Sequence, residues 1–196
     1  MLRSTYLRFH LLVSICCCSF FATYAQESVS NNSFDIGIEF QAYPTGIIPG
    51  IRAELGWNKR HAIHLRVGRN FAWHRDLGVQ DEEQGGGLGF TLGYKRYFSD
   101  QFKRWFLGVR SDLWFNSIDW KDYKEDNTNE LLTSGTTEII VFQPTLEGGY
   151  LWELADGKWV FAPTLAVGAE INIQTEGEEV GQGATLIAGF HLAYRF

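Results

Sequence analysis

From residue 34 to its last residue the chain alternates apolar and polar positions in one segment after another, and a two-residue period of this kind fits strands, not helices. Eight segments carry it: 34–42, 51–57, 62–73, 87–98, 105–115, 139–152, 159–173 and 184–196. One phase is aliphatic and aromatic, as in Phe34, Ile36, Ile38 and Phe40. The other phase mixes charges with glycine. Its ionisable members are Asp35, Glu39, Arg52, Glu54, His64, Arg66, Lys95, Arg110, Asp112, Glu147, Glu170, His191 and Arg195. The expected fold is therefore all-β, an eight-stranded antiparallel up-and-down transmembrane β-barrel.

The connections alternate in length. Segments 58–61, 99–104 and 153–158 are short; 74–86, 117–138 and 174–183 are longer, and 43–50 is the one fairly short member of the long set. Outer-membrane barrels have short periplasmic turns and longer outer loops, and this alternation has that phase throughout.

Alternation alone does not say which face is outside, because a lipocalin-like soluble barrel has an apolar lumen and a charged exterior. Three features favour apolar side out. Trp57, Phe98, Trp105, Trp152, Trp159 and Phe196 sit at one set of strand ends, and Phe40, Trp73, Phe115 and Phe142 at the other, all on the apolar phase. Two aromatic girdles around an aliphatic band mark the two water interfaces of a membrane. Glycines among the charges suit a lumen just wide enough for side chains. Finally, Glu39, Glu54, Asp112, Glu147 and Glu170 balance Arg52, Arg66, Lys95, Arg110 and Arg195. Buried charges have to be paired.

Residues 1–25 read as a cleaved secretory signal: Arg3 and Arg8, an apolar run over 11–21, then Thr23-Tyr24-Ala25 before a cut at Gln26. The run is too short to be read as a transmembrane anchor. Residues 26–32 form a short periplasmic segment and 33–196 the barrel. All three cysteines, Cys16 to Cys18, lie in the leader, so the exported chain is expected to have neither a disulfide nor a cysteine zinc site. The formal charge is −6, and loss of the two leader arginines makes the remainder more acidic. Nucleic acid is not an expected partner.

The terminal Gly189-Phe190-His191-Leu192-Ala193-Tyr194-Arg195-Phe196 and the hairpin end Gly93-Tyr94-Lys95-Arg96-Tyr97-Phe98 resemble strands of the outer-membrane β-barrel superfamily. Within it, the chain is similar to the small eight-stranded class of the OmpA transmembrane domain, OmpX and OmpW. The resemblance implies a cell outer-membrane location, recognition of the last strand by the barrel-assembly machinery, and membrane lipid and lipopolysaccharide as surroundings. A monomer is expected, with no cofactor and no metal.

The strongest polar constellation is in the lumen: Glu54, Arg66, Arg110 and Glu147 at mid-barrel, with Arg52 and Asp112 a level higher. It reads as a salt-bridged plug, with a gate of exchanging ion pairs as the sharper alternative. His74, with Asp76 nearby, and Ser117 are the residues an outer-membrane acyltransferase or deacylase would need, but no family motif surrounds them. His74 reads better as a polar rim residue. Asp81, Glu82, Glu83, Asp119, Asp122, Glu125, Asp126, Glu130, Glu176, Glu178 and Glu179 read as solvated loop acids, with divalent-cation bridging as the alternative. Gly85-Gly86-Gly87 reads as flexible loop, and Pro144 and Pro163 as sites of local bulges. Arg69 and Arg96 land on the apolar phase near strand ends, where they can reach headgroups.

The expected role is that of a structural or surface-interaction protein with a closed, salt-bridged lumen. The first alternative is an OmpW-like conduit for small apolar molecules. It is disfavoured by an upper lumen expected to hold Arg52, Asp112, Glu170 and Asn172. The second is a lipid-A-modifying enzyme.

Overall fold

The computed structural model describes residues 32–77, 79–124 and 130–196. The leader read at 1–25, and the 26–32 segment up to residue 31, lie outside the described residues. So do Glu125 and Asp126. Eight strands follow one another: β1 (Ser33–Tyr43), β2 (Gly46–Trp57), β3 (His61–Arg75), β4 (Glu82–Tyr97), β5 (Arg104–Tyr123), β6 (Leu131–Leu154), β7 (Trp159–Glu176) and β8 (Gly183–Arg195). Each pairs antiparallel with its sequence neighbour, and β8 closes on β1 through registers such as Asp35 with Arg195 and Ile38 with Leu192. The chain is an eight-stranded up-and-down barrel in which each strand pairs with a neighbour on both sides.

The charged phase faces the lumen. Glu39, Arg52, Glu54, Arg66, Lys95, Arg110, Asp112 and Glu147 are all buried, whereas Ile51, Leu65, Val67, Leu88 and Leu165 are each more than half exposed on the outside. This is the inverse of a soluble barrel.

Several strands run farther than their alternation shows. The β1–β2 connection is only Pro44-Thr45, because Tyr43 pairs with Gly46 and Phe40 with Pro49. Segment 117–138, read as a loop, is mostly a continuation of the β5–β6 hairpin. β5 has 20 residues and β6 has 24, against the ~9–11 that cross a hydrocarbon layer. Alternation marks a strand only where its two faces meet different media. Beyond the aliphatic band, polar cross-strand pairs hold the hairpin on its outward face. The Ser117 hydroxyl donates to Glu138 at 2.6 Å and the Thr136 hydroxyl to Asp119 at 2.6 Å.

The glycine run is likewise strand. Gly85, Gly86 and Gly87 pair with Ala72, Phe71 and Asn70 on one side and with Ile118, Ser117 and Asn116 on the other. Gly86 has φ +137°, and a Cβ on Gly87 would collide with the Phe115 carbonyl. Glycine here lets two backbones approach, a requirement that resembles loop composition in sequence. The β6–β7 register shifts between Ile140 and Val141 rather than at Pro144, while Pro163 keeps its place opposite Phe190.

The short turns have a local cause. In the β2–β3 turn the Arg60 amide donates to the Trp57 carbonyl at 3.4 Å. Asn58 and Lys59 between them have φ of 52° and 63°. Arg60 completes a three-residue connection between paired Trp57 and His61, and the two positive-φ positions, which asparagine suits, match strand twist.

Candidate functional site

Strand alternation delivers a belt of charge to the middle of the lumen. Glu39 of β1 sits among three arginines: its carboxylate accepts from Arg52 at 2.7 Å, Arg66 at 3.0 Å and Arg110 at 3.2 Å. Arg66 also donates to Asp112 at 2.5 Å and to Thr91 at 2.9 Å. Arg110 donates to both Asp112 oxygens, at 3.1 and 3.3 Å. Gln41 accepts from Arg66 at 2.6 Å and from Arg110 at 2.8 Å. Arg52 is also bonded to Glu54. Lys95 lies 3.6 Å from both Glu54 and Glu147, and Glu147 lies 3.7 Å from Arg110. None of these charged side chains is more than 3% exposed. Four carboxylates thus face four cations in one connected cluster, the condition under which buried charge is tolerated.

Two residues counted in the sequence-derived balance stand outside this cluster. Glu170 takes a hydrogen bond from Gln143 Nε2 at 3.0 Å. Gln143 pairs with Asp112 across β5–β6, so an amide separates Glu170 from the arginines. Arg195 sits at the short-turn mouth, where it holds Asp35 with two 2.8 Å bonds and Glu153 at 3.2 Å. Sequence reading left Asp35 out of the balance; it is Arg195's partner.

Below the belt the lumen is filled mainly by apolar side chains. Tyr97, Phe102, Phe106, Leu151 and Val160 form one buried cluster there. Phe102 belongs to the β4–β5 turn, with φ of 52°, and its ring meets Tyr97 edge-on at 6.0 Å. The Tyr97 hydroxyl donates to Glu54 at 2.7 Å, joining this layer to the charges.

Above the belt apolar side chains pack beside polar ones: of the four residues expected in the upper lumen, Glu170 and Asn172 line it, whereas Arg52 and Asp112 belong to the belt itself. Tyr43, Ile48, Trp114, Ile118, Trp120, Ile139, Val141, Val180 and Ile187 belong to one buried cluster. Several lie in segments that read as loop, and Trp114 stands on the charged phase of β5. Trp114 donates to Gln143 at 3.1 Å, and the Arg66 guanidinium lies 5.3 Å from its ring centre. A Cβ on Gly89 would meet that ring, so the glycine makes room for tryptophan. A small cavity of about 50 Å³, room for a few waters, remains near the outer mouth among Tyr43, His74, Glu83, Trp114, Asn116 and Glu170.

Glu83, read as a solvated loop acid, is buried and organises this mouth. Its carboxylate accepts from the amides of Val79 at 3.0 Å and Gln80 at 3.3 Å, and from Gly181 of the β7–β8 loop at 3.2 Å. His74 Nε2 lies 3.3 Å from it. Asn172 Nδ2 donates to the Val180 carbonyl at 3.3 Å, and buried Val180 thereby roofs the lumen. His74 points inward toward Glu83, whereas Ser117 is on the outward face with Glu138; the structure does not bring the two together. Among the described residues no group of three or more His, Asp or Glu is placed to hold a metal ion.

The girdle residues Trp73, Phe98, Trp105, Trp152, Trp159 and Phe196 are exposed, and Trp57 is half-buried. Contacts link some of them. Trp105 meets Tyr150 edge-on at 5.1 Å, and Trp152 stacks on Phe161 at 5.9 Å.

Sequence reading missed Tyr97, Phe102 and Trp114 as lumen fillers. For Tyr97 and Trp114 the signal available was an aromatic residue on the charged phase of β4 and β5; Phe102, in the turn, has no such phase. Gln41, Thr91 and Gln143 were on the correct phase but carry no charge to single them out.

No family model matches the chain, and no curated protein does. Among solved structures the chain is similar to the N-terminal β-barrel domain of Pseudomonas aeruginosa OprF, at 13% identity and a TM-score of 0.44, over 85% of this chain and 98% of that one. It is similar to neisserial surface protein A at 10% identity and a TM-score of 0.40, over 86% and 98%. It is also similar to Ail, the attachment invasion locus protein of Yersinia pestis, solved with the heparin analogue sucrose octasulfate, at 9% identity and a TM-score of 0.39, over 84% and 97%.

Proposed function

We propose that the chain is a bacterial outer-membrane barrel with a closed lumen, acting as a structural or surface-interaction protein that holds its β5–β6 hairpin and acidic loops outside the cell. The observation that carries this reading is the Glu39–Arg52–Arg66–Arg110–Asp112 cluster, buried between two apolar layers. An ion path along the barrel axis would have to part buried charges that solvate one another. The exposed aliphatic band supports the membrane setting, since a water-soluble monomer rarely exposes so large an apolar surface. In this reading the surroundings are outer-membrane lipid and lipopolysaccharide, delivery is through a cleaved signal and the barrel-assembly machinery, and the protein is monomeric.

Planar-bilayer recording of the refolded protein tests the closed lumen. The expected record is flat at voltages that open porins; steady, reproducible conductance steps would refute it.

The apolar cluster of the upper lumen favours one second reading, a conduit for small apolar molecules. Ile48, Trp114 and Ile187 are almost fully buried against their neighbours, so a guest would have to displace them. Saturable quenching of tryptophan fluorescence by a small apolar solute, lost in Trp114→Phe, would support the conduit. Its absence supports the plug.

A further inference from the structure

Between the two aromatic rows the outward face presents an aliphatic surface on which, among the described residues, Arg69 and Arg96 are the arginines and no carboxylate appears. Arg69 lies over the ring of Phe71, with 5.1 Å from its guanidinium carbon to the ring centre. Arg96 has no such ring partner among the described contacts, and it forms no hydrogen bond or ion pair there either. It is exposed at the short-turn end of β4, between Tyr94 and Phe98 on the same face. Its registered neighbours are His61 on β3 and Leu107 on β5. Trp57 is registered with His61 from the other side, so Trp57, His61 and Arg96 form a row across three strands.

The row is organised around the imidazole. His61 stacks on Trp57 at 5.8 Å and on Tyr94 at 6.0 Å, and Trp57 and Tyr94 lie 6.2 Å apart. His61 Nδ1 is 2.6 Å from the Tyr94 hydroxyl. In the tautomer in which Tyr94 donates to Nδ1, the ring proton is on Nε2. Arg96 and His61 thus stand directly opposite each other on a ladder, and a guanidinium and an N–H donor paired in this way gain from an anion between them. The other ionic contacts at this rim use different groups: Arg60 pairs with Asp100 at 2.7 Å, Lys103 with Glu153 at 3.6 Å, and Arg195 with Asp35.

We propose that Arg96 and His61 form a seat for the phosphodiester of an anionic glycerophospholipid in the leaflet that meets the short turns. The Trp57 and Tyr94 rings wall the headgroup, and Ile63, Leu65, Leu107 and Val109 lie along the path of the acyl chains. The depth fits, because tryptophan and tyrosine rings settle where glycerol and phosphate begin. The proposal rests on the membrane reading above.

The test is native mass spectrometry of detergent-refolded protein with equimolar phosphatidylglycerol and phosphatidylcholine. Folding is checked separately by the heat-dependent shift of the barrel band on a gel. Wild type is expected to retain phosphatidylglycerol preferentially. Arg96→Gln should lower that preference about tenfold, the worth of one charged hydrogen bond, and His61→Gln by less. Arg69→Gln should leave it unchanged. Equal retention of the two lipids by folded wild type, or an undiminished preference in folded Arg96→Gln, overturns the seat while leaving the membrane reading intact. Loss of the preference on adding inorganic phosphate would assign the seat to a free anion and overturn the lipid. A chain that folds and stays monomeric in water without detergent overturns both.

Discussion

At the short-turn mouth Tyr97, Phe102, Phe106 and Leu151 fill the lumen by packing, and one phenol hooks the filling to Glu54. At the long-loop mouth the roof is Val180, carried on a loop whose Gly181 amide is held by the carboxylate of Glu83. The first closure is made largely by strand residues that cannot leave without unmaking the sheet. The second depends on a few hydrogen bonds between a buried side chain and loop backbone, each worth little net. On the proposed reading, the long-loop mouth is the one that opens at lower cost.

The belt supports both mouths, so its loss has the largest expected effect. Glu39→Ala leaves Arg52, Arg66 and Arg110 short of a shared counter-charge and should destabilise the barrel by about 3–5 kcal/mol. Urea unfolding in phospholipid vesicles, followed by tryptophan fluorescence, reads this directly. An unchanged midpoint would mean the charges are solvated by water the packing leaves no room for.

Phe106→Ala sharpens the inner half of the comparison, since Phe106 is a buried β5 residue of the inner layer. It should cost about 3 kcal/mol in the same assay, the usual size for emptying an aromatic site that collapses only partly. Because the layer is built into the strands, the loss should appear as global unfolding. A change confined to the β4–β5 turn would show that the inner mouth is no firmer than the outer.

Glu83→Ala addresses the outer half. Here amide hydrogen exchange around Val79, Gln80 and Gly181 should rise about tenfold, equivalent to about 1.4 kcal/mol of local opening. The urea midpoint should move little. A large global loss would mean the loop is part of the core and the contrast between the mouths is false.

The smallest effect is expected at the β6–β7 turn, where Ala155 has φ of 48°. Ala155→Gly relieves a left-handed alanine and should stabilise by about 0.5–1 kcal/mol. A loss of stability instead would show that the Ala155 methyl group makes a contact worth more than the strain.

The belt was legible in sequence because charge on one phase of an otherwise apolar ladder has few explanations. Glu39, Arg52, Glu54, Arg66, Arg110, Asp112 and Glu147 could all be named from their parity. Their partners could not. Whether Glu170 joins the arginines, or is set apart by Gln143, depends on which residues stand level across β5, β6 and β7. The fillers were harder still. Phe102 lies in a turn, Ile118 and Trp120 in what reads as loop, and Trp114 on the polar phase, where an aromatic ring looks misplaced until the glycine opposite it is seen. Glu83 is one of many loop acids, and its burial follows from a loop about a hundred residues away in sequence.

The amino-acid order by itself determined the number of strands, their antiparallel succession and the separation into a charged and an apolar face. Each of these follows from a period of two repeated along the chain. The register in which β8 meets β1, the layering of apolar, charged and apolar filling inside, and the continuation of β5 and β6 past the aliphatic band were decided only in three dimensions. A strand's parity is local, but what its side chain meets is supplied by neighbours brought level through register, and register is a property of the closed sheet.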